Sequence, residues 1–82
     1  MKQEVDVMAV FVQGAQLPRP VKFRLIEGGK KLTVDIFQIL GGEYIGTQRY
    51  VYDCNSLSSR GNLINYKLSY FRTEGRWQIE IG

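Results

Sequence analysis

The stretch VKFRLIEGGKKLTVDI, residues 21–36, decides the fold class. Val21, Phe23 and Leu25 alternate with Lys22 and Arg24, the period-two pattern of a strand with one buried and one wet face. Gly28-Gly29 follows, and two adjacent residues free to take positive φ are what a tight two-residue hairpin requires. Leu32, Val34 and Ile36 resume the alternation on a return strand expected over residues 30–40. An antiparallel hairpin is predicted here.

Outward from this hairpin the same pattern recurs. Residues 4–12, EVDVMAVFV, read as a strand with Val5, Val7, Ala9 and Phe11 on one face and Asp6, Met8, Val10 and Val12 on the other. Pro18 and Pro20 break the chain before the hairpin, because proline lacks the amide donor a central strand position needs. Gly41-Gly42 reads as a second turn, and residues 44–53 as a strand with Gly46 marking a bulge or bend. The polar segment CNSLSSRG, residues 54–61, is the longest expected connection, followed by a strand over 62–73. Glu74-Gly75 is a turn into a last strand, 76–81, with Trp77, Ile79 and Ile81 inward; Trp77 belongs to the core.

No helical periodicity competes, so the expectation is an all-β fold of about six antiparallel strands. A small SH3-like or OB-like barrel is favoured, with a compact two-layer β-sandwich as the alternative. The chain of 82 residues has room for one domain, 1–82, and its core sits near the size at which self-association is a natural supplement.

Composition narrows the function classes. There are no histidines, which removes the commonest proton shuttle and metal ligand, and Cys54 is the one cysteine, so no intramolecular disulfide can form. Asp53 beside Cys54 disfavours a thiolate, and the remaining carboxylates are scattered. The glycine pairs lack the spacing of a phosphate-cradling loop. A non-enzyme without catalytic residues, cofactor or metal is expected. The chain opens on no charged-then-apolar signal segment and contains no apolar run near the roughly 18 residues of a membrane span, so the default expectation is a cytoplasmic protein with no membrane partner.

Two surfaces are candidates for binding. Met8, Val10 and Val12, together with Phe37 and Ile39, fall on strand faces opposite the expected core and suggest a homo-oligomer. Lys22, Arg24, Lys30 and Lys31, with Tyr66 and Tyr70 for base stacking, suggest a single-stranded nucleic-acid face. The net charge of +3 is compatible with an anionic partner but falls short of a field built to neutralise many phosphates.

An opening strand, Arg19-Pro20-Val21-Lys22-Phe23, then Leu25, the Val34-x-Ile36 strand, Tyr50-x-Tyr52 and a near-terminal Trp77 succeed one another along the chain. In this order it resembles short uncharacterised bacterial proteins of this length, grouped as domains of unknown function. Leu25 stands where that pattern leads one to expect tryptophan, and the 54–61 segment is an unusual insertion. The resemblance implies a small all-β fold and carries no activity.

Overall fold

The computed structural model describes residues 2–81. Seven strands follow one another: β1 (Lys2–Val10), β2 (Arg19–Glu27), β3 (Lys30–Asp35), β4 (Gln38–Ile45), β5 (Arg49–Leu57), β6 (Leu63–Phe71) and β7 (Arg76–Ile81). All pairings are antiparallel, in one sheet of order β3-β2-β1-β7-β6-β5-β4. The all-β class stands as expected, but with seven strands in one open sheet in place of six in a barrel or a two-layer sandwich. The sheet does not close into a barrel, since no ladder joins β3 to β4.

The extra strand comes from a break in the expected 30–40 strand. Ile36 and Phe37 form the link at which the chain changes pairing partner from β2 to β5. Ile36 N donates to Val21 O at 3.0 Å, Phe37 N donates to Asn55 O at 2.9 Å, and Ser56 Oγ donates to Asp35 O at 2.7 Å. These bonds fasten the link to both β2 and β5, so a sheet whose two edge strands are consecutive in sequence must roll.

The Gly28-Gly29 and Glu74-Gly75 turns form where expected, with Gly28 at φ 57° and Gly29 at φ 78°. Gly41-Gly42 does not turn. It runs inside β4, opposite Asp53 and Tyr52, and the turn falls at residues 46–48, where Gly46 serves the reversal and not a strand interior. β5 continues through Leu57, which shortens the expected 54–61 connection to residues 58–62. Pro20 lies within β2 opposite Ala9, at the point where the β1–β2 register slips, which is where a residue without an amide donor is tolerated.

Side chains alternate across the sheet as the period requires. Val5, Phe23, Leu25, Tyr52, Cys54, Tyr66, Leu68, Trp77 and Ile79 make the core on the inner face of the roll. Leu68 and Ile79 lie opposite each other on β6 and β7 and are fully buried, which centres the core on the middle of the sheet.

Candidate interaction surfaces

Lys22, Arg24 and Lys31 share one face of the β2–β3 hairpin, and Lys30 projects to the other. Lys22 lies opposite Asp35, and Arg24 lies between Asp6 on β1 and Thr33 on β3. Directly opposed residues share a face, so Lys22, Arg24 and Lys30 each stand beside a carboxylate that offsets them locally. Lys31 is opposite Ile26, and Lys30 opposite Glu27. Lys30 and Lys31 are consecutive in a strand and so project to opposite faces, a separation the period-two pattern already contained.

Neither predicted stacking tyrosine stands on that face. Tyr66 is buried, packs edge-to-face on Phe23 with centroids 5.2 Å apart, and brings its hydroxyl within 2.6 Å of Ser56 Oγ. Burial pushes its phenol up to about 12, partly opposed by the Ser56 hydrogen bond. Tyr70 is half-buried and lies 4.7 Å from Trp77 between ring centroids.

Tyr70 and Trp77 belong instead to an aromatic row on the inner face. Tyr44 meets Tyr50 at 4.9 Å, Tyr50 meets Tyr52 at 4.8 Å, and Tyr52 stacks on Trp77 at 5.7 Å. These are the offset and edge-to-face geometries that the ring quadrupole favours. The Tyr52 hydroxyl donates to the carbonyl of Pro18, which fastens the β1–β2 connection over the row; burial raises the Tyr52 phenol well above its ordinary value. A shallow open groove of about 980 Å³ runs beside the row, with Val7, Phe11, Phe23, Tyr70 and Trp77 among its walls.

Three arginines sit on aromatic rings, and of these the sequence points only to Arg72, as a neighbour of the stacking tyrosines. The Arg76 guanidinium lies 4.0 Å from the centroid of Phe71 and bonds Glu4 and Glu74 at 2.5 Å each. Arg49 lies 5.6 Å from the same ring and donates from Nε and Nη2 to Ser69 Oγ at 3.2 and 3.1 Å. Arg72 lies 5.8 Å from the Tyr44 ring. Only the cross-strand register brings these partners together, with Arg49 and Arg76 flanking Phe71 from two strands, and no local motif announces it.

Cys54 is buried, and burial first and the Asp53 charge second push its thiol up to about 12. At neutral pH it is a protonated thiol and a poor nucleophile. Among the described residues no group of three or more His, Cys, Asp or Glu side chains could hold a metal ion, and no helix is long and apolar enough to cross a membrane.

All five residues of the apolar candidate surface are exposed: Met8 by 58%, Val10 by 49%, Val12 by 56%, Phe37 by 54% and Ile39 by 37%. They occupy two places. Met8 and Val10 lie on β1 with Val12 just beyond it, in mid-sheet, while Phe37 and Ile39 lie at the β3–β4 link and the start of β4, at the sheet edge. Phe11 and Leu40, not singled out from sequence, are more exposed still at 72% and 61%. Neither a family model, nor a curated protein, nor a solved structure matches the chain.

Proposed function

We propose that this chain is a non-enzymatic interaction module that works by associating with copies of itself, in the cytoplasm. The supporting observation is the exposure of two apolar patches, Met8, Val10 and Val12 on and just beyond β1, and Phe37 and Ile39 at the start of β4, since soluble monomers rarely leave contiguous apolar surface uncovered. The rolled sheet, with its edge strands tied through Ile36 and Phe37, also supports kinship with the small SH3-like and OB-like barrels that commonly serve as binding platforms. Sedimentation velocity from low to high micromolar protein is the test: the expected result is a concentration-dependent shift to a larger species, and a strict monomer throughout would end the proposal.

Single-stranded nucleic-acid binding is the second reading. Its support lies in the Arg72–Tyr44 and Arg49–Phe71 pairs, which combine a cation with a ring able to stack on a base, and not in the β2–β3 lysines. Retardation of a single-stranded oligonucleotide at low salt that fades steeply as salt rises is its expected signature; no retardation at low salt would remove it.

A further inference from the structure

The open sheet has two unpaired edges, and their chemistry differs. β3 carries Lys30, Lys31 and Asp35 within six residues, the kind of charge that keeps an exposed edge from recruiting another chain. β4 carries Glu43 as its one charge in eight residues, and all eight are exposed. Ile39, Leu40, Tyr44 and Ile45 supply apolar side chains there, and Gly41 leaves its stretch of backbone uncovered. β4 is hydrogen-bonded on one side only, to β5, so its other side presents a row of peptide N–H and C=O groups. Glu43 and the bulge between Ile39 and Gly41 are the features of β4 that discourage edge pairing, and the ladder is regular from Gly41 to Ile45.

We infer that β4 is the strand along which a second copy of this chain adds, antiparallel and about a two-fold axis, to continue the sheet. This rests on the self-association reading above and names its surface. An open edge is matched by an extended strand, and a second copy brings one that is already ordered, whereas a free peptide must lose conformational freedom on binding. The charge distribution favours the same partner. Copies of a chain with net charge +3 repel each other, but Lys30 and Lys31 stand at the end of β3 away from the β3–β4 link, and β4 itself brings no cation to the join. Antiparallel pairing also sets the Ile45 end of one copy beside the Gln38 end of the other, so the two Arg49 side chains stand apart. Eight strand residues span roughly 26 Å, a contact below the roughly 1,200 Å² of standard stable interfaces unless Leu40, Tyr44 and Ile45 add to it, so the dimer dissociates in the micromolar range.

The test uses the whole chain. Sedimentation equilibrium gives the dimer dissociation constant of the parent, of Leu40→Lys/Ile45→Lys, of Met8→Lys/Val10→Lys as the competing β1 face, and of Ile26→Lys/Leu32→Lys as the control, all at exposed positions. The β4 pair is expected to raise the constant by about tenfold or more, because it replaces apolar side chains of the join and adds two positive charges to each copy of a chain already at +3, and the Ile26/Leu32 pair, outside both apolar faces, to leave it unchanged. Hydrogen exchange on the parent is expected to slow at residues 38–45, and not at 30–35, as concentration rises; it replaces the β4 variant if that fails to fold. A parent that stays monomeric overturns both this inference and the self-association reading. A dimer broken by the β1 pair and untouched by the β4 pair overturns the β4 assignment alone. Protection of 38–45 that appears only when an unrelated extended peptide is added gives the edge to a foreign strand and overturns the second-copy inference.

Discussion

Between β2 and β3, Gly28 and Gly29 stand at φ 57° and 78° and reverse the chain; in β4, Gly41 and Gly42 stay in the ladder opposite Asp53 and Tyr52. The dipeptide is the same and its use is not. The first pair is needed for its backbone, since two successive positive φ angles strain any residue with a Cβ. The second is needed for its empty space: a Cβ on Gly42 would lie 2.6 Å from the Tyr50 ring. That ring is held between Tyr44 and Tyr52, so it cannot withdraw without disturbing the aromatic row. Glycine beneath a diagonal aromatic is a recognised way to fit a large ring onto a sheet.

Perturbations should treat the two pairs differently. The largest effect is expected from alkali, which acts on the inner face on which β4 rests. Cys54 lies opposite Ile39 of β4, with Tyr66 beyond it on β6, and burial pushes both groups up to about 12. Their folded pKa values lie above the unfolded ones, so the stability they contribute is fully present below about pH 9 and is lost as pH rises through 12. Urea unfolding across this range should show a fall on the order of several kcal/mol, and Cys54→Ala should flatten its lower part. An unchanged midpoint between pH 8 and pH 11 would show that these groups titrate alike in both states.

Next in size is Gly42→Val, expected to cost about 2 to 3 kcal/mol by overpacking against Tyr50. In a Tyr50→Ala background most of that cost should vanish, because the obstructing ring is gone, and the double-mutant cycle measures the coupling. Additive costs would locate the strain elsewhere. Gly29→Ala meets no atom within 4 Å, so only the backbone resists it; a loss of about 1 kcal/mol is expected from thermal denaturation. Gly41→Ala is the smallest and should reverse the sign. It has open space and no positive φ, so restricting the unfolded chain should stabilise by about 0.5 kcal/mol.

The same contrast explains what was legible beforehand. The Gly28-Gly29 hairpin and the Glu74-Gly75 turn depend on residues next to them in sequence, and Trp77 on a strongly alternating strand, so local pattern sufficed. Gly41-Gly42 looked like another turn because nothing adjacent to it reports Tyr50, which arrives from β5 beyond the 46–48 reversal. The 30–40 strand looked continuous because its residues suit a strand throughout; the break at Ile36–Phe37 is a change of partner. Among candidate site residues, the exposure of Met8 and Val10 followed from strand parity, whereas Phe37 is exposed in the link between β3 and β4 and not on a strand face. The fate of Tyr66 did not: it alternates correctly onto a face, but register alone makes that face the core, against Phe23 and Ser56.

By itself the sequence determined an antiparallel all-β chain, its alternating faces, its principal hairpin and the absence of histidine, because each is carried by near neighbours or by composition. Only the tertiary structure decided that the sheet is open, that β3 and β4 are its edges and that three arginines sit on aromatic rings. Strand partners and register come from side chains distant in sequence competing for one buried face, and no local window contains that competition.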